Sequence, residues 1–293
     1  MPEVIVIAGP TASGKTEVSI SLAQSIDAEI LSCDSRQFYR KMDIGTAKPT
    51  IEERASIPHH FLDIKNPDES YDAGQFETDV IQFLGNYFQR KERIILVGGS
   101  GLYIKAVLEG FDDLPKNPEV RNRLNETLKD EGLSTLQANL QKLDPEIFLR
   151  IDHMNPQRVI RALEVFEITG QKLSDLQSQN SKKRDFTSRF FSLNPNREEL
   201  YARINNRVDL MIKAGLIAEV ESLLPFRNSN ALKTVGYSEI LEFMDGKTSL
   251  EEAITVIKQH SRNYAKRQFT WFRKQQNVIH VDSDYSTQIL RQL

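Results

Sequence analysis

This sequence contains little cysteine, no long apolar run and no large excess of either charge. Cys33 is the single cysteine among 293 residues, which excludes a disulfide framework and a cysteine-based zinc finger and fits a reducing compartment. No stretch approaches the roughly 18 consecutive apolar residues that a membrane helix needs. The N-terminal segment carries an acid, Glu3, and its apolar run is too short for a signal peptide. We therefore expect a cytoplasmic protein without a membrane segment.

The net charge of −3 by itself argues against a nucleic-acid partner. The charged residues are, however, unevenly distributed along the chain. Between 258 and 274 there are six Lys or Arg residues and no acid, and between 182 and 197 there are five against one acid. Such basic clusters indicate polyanion binding or, equally well, a solvated helix face.

Short β-rich apolar runs alternate with helical patterns along much of the chain. Runs at 4–8, 29–33, 93–97 and 278–282 predict strands. The first three are apolar on both faces, as in the central strands of a parallel sheet covered by helices. The alternation predicts an open α/β sheet, in which ligands bind at the carboxyl ends of the strands.

The pattern changes at 114–118, where the sequence LPKNP is a break. From there to about residue 179 the residue pattern predicts helices, and no segment is a candidate strand. The strand-like sequence FFSL at 190–193 then leads back to long helices. We predict an α/β core formed by residues 1–113 and 190–293, and a helical insertion domain at 114–189.

The segment after the first strand fits the P-loop pattern G-x-x-x-x-G-K-[ST], between a strand and a helix as that motif requires. Its backbone N–H groups converge on an anion, and the helix dipole adds to the attraction. Lys15 supplies a point charge to the terminal phosphate, and the Thr16 hydroxyl is placed to hold Mg²⁺. The predicted diphosphate-binding residues are Gly9, Pro10, Thr11, Ala12, Ser13, Gly14, Lys15 and Thr16.

A P-loop alone does not define the reaction, because most P-loop proteins hydrolyse or transfer the γ-phosphoryl group of a nucleotide. The chain has no NKxD signature for guanine, and its strand at 94–97 runs into glycine rather than into a Walker B aspartate. Asp34 follows the second strand, where a small-molecule kinase can place a carboxylate that activates the acceptor. A P-loop kinase therefore stays open on these residues alone.

Five further motifs are more specific than the P-loop. They are DSRQFY at 34–39, MDIGTAKP at 42–49, HHFLD at 59–63, GGSGLY at 98–103 and NPQRVIRALE at 155–164. In this order they resemble the tRNA dimethylallyltransferases (tRNA isopentenyltransferases), and the chain is similar to the compact bacterial form. The resemblance extends from the P-loop to Arg273. It implies a P-loop NTPase-like parallel sheet core with a helical insertion domain.

The resemblance also implies a reaction. The family transfers the dimethylallyl group of dimethylallyl diphosphate to the exocyclic amino nitrogen of the adenosine 3′-adjacent to the anticodon, and pyrophosphate leaves. Asp34 would accept or align the amino proton. Lys15, Thr16 with Mg²⁺, and Arg207 would stabilise the departing diphosphate, where Arg207 is carried over from the family motif RxxxRVDxM at 203–211. We expect a monomer that binds the tRNA anticodon stem-loop.

Basic residues on a long helix predicted at 249–275 form the first part of an expected RNA surface. Small or apolar residues, with Gln268 among them, form the core-facing stripe of that helix. The resemblance implies that the block at 155–164 faces the anticodon loop. The predicted tRNA-binding residues are Asp34, Ser35, Arg36, Gln37, Ser100, Arg121, Gln157, Arg158, Val159, Ile160, Arg161, Lys258, Arg262, Lys266 and Arg273.

Three other functions remain as alternatives. An adenine-nucleotide prenyltransferase would keep the chemistry but need no extended basic surface. A small-molecule kinase would produce ADP, and an RNA-binding module without activity would leave Asp34 without a role. The adjacent His59 and His60 suggest a metal, but neighbours on one segment rarely converge on one ion, so we interpret them as structural.

Overall fold

The computed structural model describes residues 1–177 and 182–293. These form two compact units, Met1–Glu109 with Arg184–Leu293, and Gly110–Lys183. The smaller unit thus begins four residues before the predicted boundary at 114 and ends six residues before the one at 189. At the second boundary, strand pairing already begins at Thr187. Positions 178–181, which include the predicted end of the helical pattern, lie outside the described residues. Among the residues described, no helix is long and apolar enough to span a membrane.

In the described part of the chain, six strands form one sheet in which every pairing is parallel. The strand order is β3-β2-β4-β1-β5-β6, which confirms the predicted α/β class. The two-residue strand β3 escaped prediction because His59 and His60 are neither apolar nor part of a longer run. The strands are β1 (Glu3–Ala8), β2 (Glu29–Ser32), β3 (His59–His60), β4 (Arg93–Gly98), β5 (Thr187–Leu193) and β6 (Val278–Val281).

Thirteen α-helices accompany the sheet in the residues described, with a 3₁₀ turn at Leu224–Phe226. Their bounds are α1 (Lys15–Ile26), α2 (Ala73–Tyr87), α3 (Gly101–Glu109), α4 (Pro118–Glu131), α5 (Leu133–Leu143), α6 (Pro145–Arg150), α7 (Pro156–Thr169), α8 (Leu173–Leu176), α9 (Arg197–Lys213), α10 (Leu216–Ser222), α11 (Tyr237–Met244), α12 (Leu250–Arg273) and α13 (Tyr285–Leu290).

The larger unit buries both faces of its sheet. Successive strand residues point to opposite faces, so Val4 and Val6 of β1 join a cluster with α2 and α3, whereas Ile5 and Ile7 join one with α1 and α13. Packing on both sides explains why these strands are apolar throughout. A third cluster, built around Tyr237, joins α9, α10, α11 and α12.

The smaller unit is an all-helical body from α4 to α8 with its own apolar core. Asn117 caps α4, since its side chain accepts hydrogen bonds from two N–H groups of the first turn, and Pro118 occupies the first helical position. Asn155 and Pro156 begin α7 in the same way. Proline costs nothing at that position because its missing N–H would be unpaired there. The predicted break at 114–118 thus precedes the first helix.

The parallel register brings the loops of three strands to one edge. Ala8, the last residue of β1, pairs with Gly98 of β4, and Ser32 of β2 pairs with Val97. The P-loop, Asp34 and the turn at 98–101 therefore leave the sheet side by side, as the strand order at this edge requires. Contact is close: a Cβ at Gly98 would lie 2.0 Å from the carbonyl oxygen of Cys33.

Gly98→Ala should lower the free energy of unfolding by roughly 1–3 kcal/mol or more, because the obstructing atom belongs to the backbone of Cys33, which directly follows β2, and cannot rotate away. Urea denaturation measures the change. Gly85→Ala is the matched control, since Gly85 lies in α2 with open space around its Cβ position, and it should stabilise by about 0.5–1 kcal/mol. Equal stability of the two variants would contradict the close-packing argument.

Candidate functional site

The P-loop has the backbone of an anion cradle. Gly9 has φ 153° and Gly14 has φ 91°, conformations that favour glycine. Lys15 begins α1, and its Nζ donates to the carbonyl oxygen of Pro10 at 2.7 Å. The Ser13 hydroxyl is buried with no hydrogen-bond partner among the described residues. An unpaired buried hydroxyl beside convergent N–H groups fits a loop that receives its remaining hydrogen bonds from a phosphate.

A pocket of about 630 Å³ opens above this loop. Residues 11–17 form one wall, and Asp34, Glu53 and Arg207 contribute charged side chains to the others. Arg207, on α9, is half-buried and makes no hydrogen bond to any described residue. A half-buried guanidinium without a partner is costly unless an anion binds it. Lys15 and Arg207 therefore offer two cations to an anion in this pocket, which carboxylates also line.

A second, smaller pocket of about 230 Å³ adjoins the first. Asp34, Arg207 and Tyr264 line both, so these three side chains lie where the two pockets meet. The smaller pocket also has apolar residues from α9 and α12 on one side, and Ser35 and Arg36 on another. Two reactants could therefore bind in separate pockets and meet where Asp34, Arg207 and Tyr264 line both. The apolar lining residues are Ile204, Val208, Met211, Val235 and Ile257.

Asp34 is oriented by its own turn. Its Oδ1 accepts a hydrogen bond from the Arg36 backbone N–H at 2.9 Å, whereas Oδ2 has no partner among the described residues. Beside it, Ser100 Oγ accepts a hydrogen bond from the Ser35 N–H at 3.2 Å. One carboxylate oxygen is thus held while the other stays free to take a proton.

Two of the predicted tRNA-binding residues near Asp34 have their side chains engaged within the protein. The Arg36 guanidinium donates to the carbonyl oxygens of Asn230 and Lys233. The Gln37 amide donates to the carbonyl oxygens of Thr46 and Ala47, and its oxygen accepts from the Ser32 hydroxyl. These contacts shape the loops around the junction, which the motif pattern alone did not reveal.

Burial and neighbouring charges set the protonation of the site. Burial, together with the charge of Arg207, lowers the pKa of Lys15 to about 7, although Asp34 opposes the shift. Burial also lowers the pKa of Arg207, against the attraction of Glu53 and Asp34. Burial and the nearby Asp34 raise the pKa of Tyr264 to about 12, so its hydroxyl remains protonated at neutral pH. Two cations held close together favour a polyanionic ligand.

Sequence reasoning missed the role of Gln268. This buried side chain of α12 accepts from the Thr11 N–H of the P-loop at 2.8 Å and donates to the Gly99 carbonyl oxygen at 3.0 Å. It therefore connects α12 to the P-loop and to the turn at 98–101. A glutamine within an otherwise apolar or small stripe was the available signal, because a buried amide needs hydrogen-bond partners.

The smaller unit requires a correction to the predicted RNA residues. Val159 and Ile160 are completely buried in its core, so their side chains are not available to a ligand. Arg121 and Arg161 both bind the buried Glu164, at 2.5 Å and 2.8 Å, and Arg161 also donates to the carbonyl oxygens of residues 114 and 115. These arginines connect α7 to α4 and to residues 114 and 115, near the start of the smaller unit.

Gln157 and Arg158 are exposed on α7. They are the members of the predicted block whose side chains face solvent, so they retain the predicted RNA contact as a prediction.

The basic helix is α12, which begins after the capping box of Ser249 and ends at Arg273, two residues before the predicted end at 275. Its cations differ in availability. Lys258 pairs with Asp209 of α9 at 2.6 Å, and Arg262 donates to Asn205 at 2.6 Å. Lys266 is exposed, and the exposed Arg273 lies over the ring of Phe269. An acid on the neighbouring helix, invisible in the local sequence, thus offsets one of the four charges.

No group of three or more His, Cys, Asp or Glu among the described residues could hold a metal ion by itself. His60 bonds to Glu29 and His59 to a backbone carbonyl oxygen, so this pair is structural. Mg²⁺ needs fewer protein ligands, because it keeps several waters and shares phosphate oxygens. The Thr16 hydroxyl lines the P-loop pocket, as do Asp34 and Glu53, and oxygen ligands of this kind fit this ion.

Affinity for dimethylallyl diphosphate should depend on pH through Lys15. In the free protein its pKa is about 7, and a bound diphosphate must raise it. Below pH 7 the ammonium is charged in both states, so this group adds no pH dependence. Above pH 7 binding takes up a proton, and affinity should fall by up to about tenfold per pH unit.

Calorimetric titration between pH 6 and 9 in buffers of different ionisation enthalpy measures both the affinity and the proton uptake. Lys15→Arg is the matched control, because a guanidinium stays charged over this range and should flatten the profile. A wild-type affinity that is constant from pH 7 to 9 contradicts the assignment.

The chain is similar to known proteins of one family. The chain matches the family described as IPP transferase over residues 37–275. The tRNA dimethylallyltransferase of Cytophaga hutchinsonii is 47% identical over 276 residues, which cover 94% of this chain and 91% of the relative. The tRNA dimethylallyltransferase of Thermosipho melanesiensis is 45% identical over 280 residues, with coverage of 94% and 92%.

Solved structures show the same similarity. The full-length tRNA isopentenylpyrophosphate transferase of Bacillus halodurans has a TM-score of 0.73 at 38% identity, with coverage of 99% of this chain and 94% of that one. A eukaryotic dimethylallyltransferase described as acting on tRNA has a TM-score of 0.81 at 28% identity, with coverage of 100% and 77%. These matches confirm the resemblance and the P-loop-like fold, and the chain belongs to the IPP transferase family, whose members include the tRNA dimethylallyltransferases.

Proposed function

We propose that this chain is a tRNA dimethylallyltransferase. It transfers the dimethylallyl group of dimethylallyl diphosphate to the exocyclic amino nitrogen of the adenosine 3′-adjacent to the anticodon, and it releases pyrophosphate. The observation that carries the proposal is the junction of the two pockets. There the free Oδ2 of Asp34 and the unpaired guanidinium of Arg207 border both a diphosphate cradle and a separate pocket.

The two pockets take the two substrates. The diphosphate binds the P-loop amides and Lys15, with Arg207 on the opposite side. The target adenine enters the smaller pocket after it is turned out of the anticodon loop, as enzymes acting on a stacked base generally require. Its amino group then faces the allylic carbon across the junction. Holding both reactants in this way replaces a bimolecular encounter with an oriented one.

The reaction needs a proton acceptor and a stabilised leaving group. The amino nitrogen of adenine forms the new bond to the allylic carbon, and the carbon–oxygen bond to the diphosphate breaks. Asp34 accepts the proton that the amino group loses, since Oδ1 is already held by its turn and Oδ2 is free. Lys15 and Arg207 receive the charge that develops on the departing pyrophosphate.

Mg²⁺ is the proposed cofactor, with the Thr16 hydroxyl as its protein ligand in the P-loop. When bound, it would neutralise part of the charge on the diphosphate. The Thr16 side chain lines the same pocket as Lys15 and Arg207.

We propose that exposed residues on each of the two units, taken separately, contact tRNA. On α12 these are Lys266 and Arg273, and on α7 they are Gln157 and Arg158. Ser35 lines the smaller pocket and supports the flipped base, and Ser100 accepts a hydrogen bond from the Ser35 N–H. That the enzyme is a monomer in the cytoplasm stays a prediction.

The deciding experiment is incubation with dimethylallyl diphosphate, Mg²⁺ and unmodified tRNA, followed by nucleoside mass analysis. We expect a five-carbon addition to one adenosine beside the anticodon. Asp34→Ala should slow the single-turnover step by roughly 10²–10⁴-fold while tRNA affinity changes only a few-fold. A near-normal rate in that variant would contradict the base assignment.

The same assay separates the alternatives. Preferred modification of free adenine nucleotide would favour a nucleotide prenyltransferase. Conversion of ATP to ADP without use of dimethylallyl diphosphate would favour a kinase.

The availability of the α12 cations predicts different salt dependences of tRNA binding. Lys266→Ala should reduce the log–log salt slope by about 0.7–0.9, because one exposed charge leaves the phosphate contacts. Lys258→Ala is the matched control, since Asp209 already offsets its charge, and it should change the slope little. The measurement is tRNA affinity over a salt series, with dimethylallyl diphosphate affinity unchanged. Identical slopes for Lys266→Ala and wild type would remove α12 from the RNA surface.

A further inference from the structure

Glu219 of α10 holds a loop of the larger unit through backbone hydrogen bonds. Its carboxylate accepts from three consecutive N–H groups: Asp43 at 3.0 Å, Ile44 at 2.7 Å and Gly45 at 3.0 Å. The Tyr237 hydroxyl donates a fourth hydrogen bond at 2.6 Å. Both carboxylate oxygens are therefore used. In the described part of the chain, no Lys, Arg or His forms a salt bridge with Glu219.

Successive backbone N–H groups that converge on one anion form a concave binding site. Such sites usually bind phosphate or another ligand from solution. Here the anion is a side chain of the same unit, so the conformation of residues 43–45 is imposed by Glu219. Hydrogen bonds to a charged acceptor are stronger than those between neutral groups, which suits a carboxylate used to fix main chain.

The opposite side of the loop is equally constrained. Tyr237 is fully buried, and a Cβ at Gly45 would lie 2.5 Å from its ring. Burial and the neighbouring Glu219 raise the pKa of Tyr237 far above its usual value, so the hydroxyl stays a donor. Gly45 is thus held between a carboxylate that binds its N–H and a ring that excludes any side chain.

The constrained loop borders the reaction site, although Glu219 does not. Gly45, Thr46 and Ala47 line the smaller pocket, and the last two also border the P-loop pocket. Gln37 binds the carbonyl oxygens of Thr46 and Ala47 from the turn that carries Asp34. Movement of the loop would therefore alter the wall that faces the adenine, while the P-loop amides would keep their position.

We propose that Glu219 is a positioning residue that shapes the acceptor pocket through the backbone of residues 43–47. This inference rests on the proposed function, because it assigns the smaller pocket to the target adenine. It predicts that loss of Glu219 impairs use of tRNA far more than binding of dimethylallyl diphosphate. A purely structural residue would lower both together with stability.

Glu219→Gln is the first test. The glutamine has the same shape, but its NH₂ group must oppose backbone donors. The kcat/KM for tRNA should fall by about 10- to 100-fold, as expected for a displaced reactant, while the Kd for dimethylallyl diphosphate stays within about twofold. Glu221→Gln is the matched control. It makes the same charge change on the same helix at an exposed position, and should keep wild-type values.

Hydrogen exchange gives a readout that does not depend on activity. In Glu219→Gln the amides of residues 43–45 should exchange faster than in wild type and in Glu221→Gln. Tyr237→Phe keeps the ring and removes only the hydroxyl donor, so it should give a smaller effect in the same direction. It also carries the test if Glu219→Gln does not fold.

The outcomes separate this proposal from the one on which it rests. If the wild-type chain transfers no dimethylallyl group, the proposed function is wrong. If wild type is active but Glu219→Gln, or Tyr237→Phe in its place, keeps wild-type kcat/KM for tRNA, the positioning role is wrong. A parallel loss of dimethylallyl diphosphate affinity would also overturn it, because the effect would then extend to the P-loop.

Discussion

The parallel pairing of β1, β2 and β4 is the constraint on which the site depends. Each strand end carries a loop with a different task, and the register places all three at one edge. Gly98 permits this because its missing side chain lets β4 lie against the backbone of Cys33. The P-loop, the turn that carries Asp34 and the Ser100 turn are thereby brought together from separate parts of the sequence.

Charge is treated differently inside and outside the site. Lys15 and Arg207 share one pocket and have no carboxylate at hydrogen-bonding distance among the residues that the structure describes, and burial lowers the pKa of both. Elsewhere some buried or half-buried carboxylates have partners, as where Glu164 binds two arginines and Glu219 accepts hydrogen bonds from backbone N–H groups. Uncompensated cations are unfavourable in the free protein, so the arrangement makes sense through the polyanion that it binds.

Much of the fold and part of the site follow from local patterns. The P-loop, the sheet strands other than β3 and the position of α12 to within two residues were predictable, because spacing and periodicity report backbone geometry directly. The RNA surface was less predictable. Val159 and Ile160 belong to a motif but are buried, since a helix that presents one face to solvent must bury the other. Lys258 meets an acid on another helix.

The sequence by itself determined the family, the phosphate-binding loop and the residue types available for chemistry, because these are carried by short contiguous motifs. Only the tertiary structure decided which side chains are free to act. Gln268 reaches the N–H of Thr11, 257 positions earlier in the chain, and Glu219 reaches the loop around Gly45 from a distant helix. Such contacts arise when separated segments pack together, and no local spacing or periodicity encodes them.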